Sequence, residues 1–397
     1  MDSGKQFVGK IQNNFTDATS ISRRNFLATS GVAFAAASGA SSLWAQSQEK
    51  SSKNMLGFRR YSDLLQTIKK KGHALRVLGY CPDKSPVVAI KAGGDKKPAI
   101  FISAGSHATE HAGVVAAVEL IDELKTEHEV YIIPCRDPMG LSGFHHTLSL
   151  NLGEEPSITS VKEAEALLRE KGKILYDSDG RLLVQIGEMG YANRSFYRKV
   201  EKGADFLESL KGRRISFPSS YTDVPGTGPL ERAYTQIVTP DGEVLHLNRF
   251  HDTPWAPVEV MCTRRLMAEI KPRLTFDLHE YGGDDFWMSA RRQQTDEDEV
   301  WELRMAHEAA RAVASLGVSF PDENYRPGSF FEKLAPGLFW LDPTQRGEGL
   351  NLVDFAARNY GPGFTVETGM RQKFADRLKM HKTVVRTAVR IFEERYG

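Results

Sequence analysis

Residues 99–111 read Ala-Ile-Phe-Ile-Ser-Ala-Gly105-Ser-His107-Ala-Thr-Glu110-His111. An apolar run, bounded by Pro98 and Gly105, predicts a buried strand over Ala99–Ser103. The apolar positions Val114, Val115, Val118, Leu120, Ile121 and Leu124 then predict a helix over Ala112–Leu124. Between the two, His107 and Glu110 stand three residues apart. If the helix starts just after Gly105, imidazole and carboxylate point the same way from its first turn. A His/Glu pair at the C-terminal edge of a strand is a natural half-site for zinc. Taken alone, the pattern also describes a histidine at a helix start.

The neighbouring segments extend this into an α/β unit. Residues 59–71 predict a helix with Leu64, Leu65 and Ile68 on one face and Gly72 as its stop. Val87–Ile90 predicts a strand, joined to the next by the turn residues Gly93 to Pro98, and Val130–Pro134 predicts another. Strand, helix, strand at this spacing implies a crossover and a largely parallel or mixed sheet. The pattern resumes late in the chain, with helices over Pro257–Lys271, Asp296–Leu316 and Arg371–Arg395 and strands over Leu274–Leu278 and Phe364–Glu367. Residues 150–245 differ: a helix over Val161–Lys171, short Gly-punctuated runs and a loop-like tract over Pro218–Pro229. They are expected to form an insertion or subdomain.

Composition narrows the function classes. The chain has 397 residues, 41% hydrophobic and 26% charged, as in an ordinary globular protein. Lys+Arg 52 against Asp+Glu 51 leaves a net charge of +1, so no basic excess points to nucleic acid. Three cysteines, Cys81, Cys135 and Cys262, exclude a disulfide scaffold and are expected to be buried thiols. The first 45 residues are read as a signal peptide. Arg23-Arg24, the weakly apolar run Phe26–Ala40 and the small residue Ala45 match a twin-arginine (Tat) export signal. Residues 46–397 would then be the catalytic domain, periplasmic or secreted, with no membrane span.

Three further segments carry chemistry. Leu274-Thr-Phe-Asp277-Leu-His279-Glu280 places a histidine at the exit of an apolar strand, where open α/β sheets hold ligands. Asp277 or Glu280 is positioned to orient its second nitrogen. Phe364-Thr-Val-Glu367-Thr-Gly369 puts a carboxylate in a short apolar strand. Burial raises such a pKa towards the range of a general base at neutral pH. His246-Leu-Asn248-Arg249 offers an amide and a planar fork of donors suited to a substrate carboxylate.

In this order, the four segments resemble the carboxypeptidase A-like zinc metallopeptidase superfamily, which includes the succinylglutamate desuccinylase/aspartoacylase branch. The resemblance covers roughly residues 59–395, with 150–245 largely unmatched. It implies a three-layer α/β/α fold around a mixed sheet. It also implies one Zn2+ per chain held by His107, Glu110 and His279, with Glu367 as the general base and Asn248 and Arg249 as carboxylate binders. The family uses a further arginine on the scissile carbonyl; Arg198 is the first candidate here, followed by Arg136 and Arg232. Two departures stand out. His246 occupies a place where the family often has Asp, and no counterpart of the family's mobile substrate-capping tyrosine is evident.

The implied activity is hydrolysis of an amide bond near a free carboxylate in a peptide. Alternatives are an N-acyl amino acid deacylase, or an inactive binding protein on the same fold. His107-Ala-Thr-Glu110-His111 also fits a different zinc-peptidase pattern in which both histidines bind metal, but that pattern belongs inside a helix. A serine hydrolase is disfavoured because no G-x-S-x-G occurs.

Overall fold

The structure, a computed structural model, describes residues 59–219, 230–346 and 349–397. The twin-arginine segment and nearly all of the Pro218–Pro229 tract lie outside them. The chain begins with α1 (Tyr61–Lys70), β1 (Arg76–Tyr80), β2 (Pro86–Gly93), β3 (Lys96–Ala104), α2 (His111–Glu123) and β4 (His128–Ile133). Then come α3 (Pro138–Ser142), α4 (Phe144–Leu152), α5 (Val161–Lys171), β5 (Lys173–Ser178), β6 (Arg181–Ile186), β7 (Met189–Ala192), β8 (Arg214–Pro218), β9 (Ala233–Val238) and β10 (Val244–His246). The last part holds α6 (Val258–Ile270), β11 (Leu274–Tyr281), β12 (Phe286–Arg291), α7 (Asp296–Ala314), β13 (Phe331–Ala335), β14 (Leu338–Leu341), α8 (Leu352–Asn359), β15 (Gly363–Gly369) and α9 (Phe374–Tyr396).

Nine strands form one mixed sheet in the order β1-β2-β4-β3-β11-β15-β12-β14-β13. Its centre, β4-β3-β11-β15, is parallel, as the crossover reading predicts. Helices cover both faces, which is why β3 and β11 read as near-continuous apolar runs. Ile100, Ile102, Phe276 and Leu278 pack with α2, α7 and α9 on one face. Ala99 and Phe101 pack with Leu266 and Met267 of α6 and Leu352 and Ala356 of α8 on the other. This is the expected three-layer α/β/α arrangement.

Residues 173–246 build a second, six-stranded sheet in the order β10-β9-β8-β7-β6-β5. It is antiparallel except for the β7–β8 pair. Its edge strand β10 ends at His246 and leads directly into Asn248 and Arg249, and Tyr234 of β9 stacks on His107 at a ring separation of 4.8 Å. Among the described residues no helix is long and apolar enough to cross a membrane. The three cysteines are buried free thiols.

The period of two in β11 sorts its polar residues by face. Asp277 and His279 lie on the α6/α8 side, and Glu280 on the α2/α9 side. Glu280 accepts the Ala112 N–H at 2.7 Å, at the N-terminus of α2, and pairs with buried Arg377 of α9 at 2.7 Å. Thr368 Oγ1 donates to the same carboxylate at 3.2 Å. Glu280 therefore ties two helices to the sheet and does not orient His279. Glu280→Ala should cost about 3–5 kcal/mol of stability, because it strands the Arg377 charge in the core. Denaturant unfolding measures this; a loss below about 1 kcal/mol would contradict the role.

Candidate active site

The first half-site is made by a sharp turn. Gly105 has φ +61, and a Cβ there would come within 3.0 Å of the Cys135 backbone. The chain turns in the space that only glycine leaves. The helix does not begin at this point, as the sequence pattern suggests; it starts at His111. Residues 105–110 form a turn in which the Glu110 N–H donates to the His107 carbonyl at 3.1 Å. The turn still brings the two side chains together. Glu110 does not cap its own helix; its carboxylate is held between two imidazoles, and Glu280 supplies the cap.

β11 runs on to Tyr281, so His279 sits within the strand and not at its exit. Its Nδ1 lies 2.7 Å from Glu110 Oε2, and His107 Nδ1 lies 2.6 Å from Glu110 Oε1. One ligand atom from each of His107, Glu110 and His279 falls within 4.8 Å of the others. Two imidazole nitrogens and a carboxylate make a donor set that suits zinc. The outer nitrogens are also engaged, which fixes each ring. His279 Nε2 donates to Asp277 Oδ2 at 2.8 Å, so Asp277, which shares its face, is the orienting carboxylate. His107 Nε2 lies 2.8 Å from His246 Nδ1. His246 thus stands directly behind His107. The residues present fit a zinc ion.

Electrostatics separate the two histidines. Burial pulls His279 down, but Asp277 and Glu110 outweigh it and hold its pKa well above the usual imidazole value. Burial lowers His107, with Glu110 opposing. Burial, reinforced by Arg249 and His107, keeps His246 well below its ordinary value and therefore neutral. Burial alone would raise Glu110, yet the two imidazoles hold its carboxyl at about 2. Asp277 is depressed in the same way, against burial, by Arg136 and His279.

Glu367 is the register partner of His279 on β15 and faces the same cavity. Burial pushes its carboxyl up to about 8, with His279 opposing and Glu110 and Asp277 adding to the rise. A carboxylate beside a metal triad but outside it is the place for a proton acceptor. The cavity, about 350 Å³, is lined by His107, His279, Glu367 and also Asn248, Arg249 and Arg198.

The three substrate-binding candidates differ in what they have free. Asn248 Oδ1 is fully engaged, accepting from Arg136 at 3.2 Å and from the Leu352 N–H at 3.1 Å. One amide N–H goes to Asp277 at 2.9 Å. The same amide nitrogen lies 3.0 Å from His279 Nε2, which is itself hydrogen-bonded to Asp277. Arg249 donates through Nε to the Tyr197 hydroxyl at 3.2 Å and through Nη1 to the main-chain carbonyl of Asn248 at 2.7 Å. No carboxylate pairs with it among the described residues; Asp252 instead accepts the Leu350 N–H. Arg198 has φ +55, a strained conformation for a side-chain-bearing residue, and its guanidinium lies over the Tyr197 ring at 5.0 Å. Arg136 is enclosed by Asp277, Asn248 and His251, and buried Arg232 donates to the Arg59 and Glu231 carbonyls. Of the three arginines considered for the scissile carbonyl, Arg198 alone lines the cavity.

His111 takes no part in the triad. It lies beside Phe374 of α9, at a ring separation of 5.8 Å. The rival pattern with two histidines and a glutamate inside a helix does not match this geometry.

The cavity also contains residues that the sequence reading missed. Trp287, Ser289 and Arg291 alternate along β12 and face it. Tyr325, from the loop after α7, lines it too; burial and the Glu367 and Asp285 carboxylates push its hydroxyl up to about 12. The period-two spacing of polar residues in Phe286-Trp-Met-Ser-Ala-Arg291 was the available signal.

No protein-family model and no curated protein sequence matches this chain. Among solved structures it is similar to bovine thrombin-activatable fibrinolysis inhibitor in complex with tick carboxypeptidase inhibitor, at 14% identity over 84% of this chain and 96% of that one, with TM-score 0.43. It is similar to a metallo-carboxypeptidase from Pseudomonas aeruginosa in complex with (2-guanidinoethylmercapto)succinic acid, at 13% identity over 84% and 68%, TM-score 0.43. A metallo-carboxypeptidase from Burkholderia cenocepacia matches at 10% identity over 85% and 69%, TM-score 0.41.

Proposed function

We propose that the protein is a zinc-dependent amidohydrolase of carboxypeptidase type, acting on an amide bond next to a free carboxylate. The observation that carries this is the shared cavity. A His107/Glu110/His279 donor set, the proton-accepting Glu367 in register with His279, and two arginines without carboxylate partners all face one space. When bound, zinc supplies Lewis-acid polarisation and lowers the pKa of water towards 7. Glu367 takes a proton from the attacking water and returns it to the departing amine nitrogen. Arg198 stands where it can stabilise negative charge developing on the carbonyl oxygen. Arg249, through its free Nη2, binds the substrate carboxylate and sets its register, with Asn248 beside it in the same cavity.

The test uses two peptides that differ only in a free or amidated C-terminus. The wild type should prefer the free acid. Arg249→Ala should erase most of that preference, roughly 10- to 150-fold in kcat/KM, the size of a charge-assisted pair. Equal cleavage of both peptides by the wild type would overturn the carboxylate-anchored reading and point to an endo-acting enzyme.

A further inference from the structure

Arg291 is almost fully buried, yet it lines the active-site cavity. β12 and β15 place Trp287 opposite Glu367 and Ser289 opposite Thr365. The Arg291 guanidinium folds back to that second level, donating to Ser289 Oγ at 2.7 Å and to Thr365 Oγ1 at 2.8 Å. It therefore lies one register step, about 7 Å, below Glu367. Behind it, Nε donates to Asp354 of α8 at 2.5 Å, and Nη1 also reaches the Ala290 carbonyl at 3.1 Å.

Counting hydrogens gives this floor its character. An arginine has five N–H groups, and four are used by these contacts. The fifth, on Nη2, remains. Ser289 and Thr365 each spend a lone pair on Arg291, so each keeps its O–H as a donor. This count leaves three donors at the floor, one N–H and two O–H, and no carboxylate acceptor other than Asp354 behind the guanidinium. Glu367 is the one carboxylate among the described residues lining the cavity, against three arginines. A cationic side chain entering here would find hydroxyl lone pairs but no carboxylate, whereas a carboxylate would find hydrogen-bond donors on both hydroxyls and on a guanidinium that is paired, on its far side, with Asp354.

We propose that this floor is a recognition site for an anionic side chain, so that the residue released by the enzyme is an acidic amino acid of about glutamate length. The inference rests on the function proposed above and names its substrate class. The register step from Glu367 to Arg291 matches the reach of such a side chain.

Calorimetry on the zinc-loaded full chain, with L-glutamate, L-glutamine, L-leucine and L-lysine as probes, tests this. Wild-type protein should bind L-glutamate at least about tenfold more tightly than L-glutamine. Arg291→Met should remove that difference, weakening L-glutamate far more than L-glutamine. Because Arg291→Met strands the buried Asp354, Ser289→Ala serves as the second variant. It keeps the Arg291–Asp354 pair, and should weaken L-glutamate several-fold more than L-glutamine. N-acyl dipeptides ending in the same four residues provide a parallel cleavage series. Equal binding of L-glutamate and L-glutamine, or preference for L-leucine or L-lysine with cleavage of the matching peptides, overturns the acidic specificity and leaves the carboxypeptidase reading standing. No binding of any probe and no cleavage of any peptide overturns both.

Discussion

Glu367→Gln is expected to leave the fold and the metal load intact while reducing kcat by about 10²–10⁴-fold, the contribution of a positioned general base. The amide has the same shape as the carboxylate, so the neighbours on β11 and β12 need not move. It is also neutral. Since burial already favours the uncharged form of Glu367, the substitution imposes no desolvation cost on the free protein. What it removes is the lone pair that takes the proton from water. That interaction exists only along the reaction path, so KM should change little and kcat/KM should fall with kcat. Steady-state kinetics on protein of verified zinc content make the measurement. Near-normal turnover would place the base elsewhere.

What could be read from the sequence follows a physical boundary. The central sheet was legible because its parallel strands are buried on both faces, and burial leaves continuous apolar runs such as Ala99–Ser103 and Leu274–Leu278. His107, Glu110 and His279 each stood out only weakly beside those runs, and the set of three was implied by the resemblance of four segments in order; the structure brings one donor atom of each within 4.8 Å of the others. The choice between Asp277 and Glu280 as orienting carboxylate was open only because the strand was expected to stop at Leu278. Once β11 continues to Tyr281, parity puts Asp277 with His279 and sends Glu280 to the opposite helices. The second sheet was not legible. Its strands are short, and their stability comes from pairings such as β8 with β9, which no local pattern announces. The floor of the cavity was missed for a related reason. Arg291 became informative only when β15 brought Thr365 opposite Ser289.

The second large effect concerns the metal. His279→Ala should abolish stoichiometric zinc binding, while His111→Ala should retain one zinc per chain. Both residues are buried histidines, and both belong to segments that carry zinc-peptidase spacing, so sequence alone does not separate them. Geometry does. His279 Nδ1 meets the Glu110 carboxylate at 2.7 Å and its Nε2 is fixed by Asp277 at 2.8 Å, the two contacts that aim a ring at a metal. His111 stacks near Phe374 on the helix side. Removing His279 leaves two protein ligands where a catalytic zinc site uses three. It also leaves Glu110 with one imidazole partner in place of two. Asp277→Asn grades the effect: losing the carboxylate behind His279 should weaken zinc by about 10- to 100-fold without abolishing it. Metal analysis after dialysis against a weak chelator gives the stoichiometry, and competition with a chromophoric chelator gives the affinities. If His111→Ala lost the metal and His279→Ala kept it, the triad would be wrong. The turn at Gly105 would then have to be replaced by a helix carrying both His107 and His111.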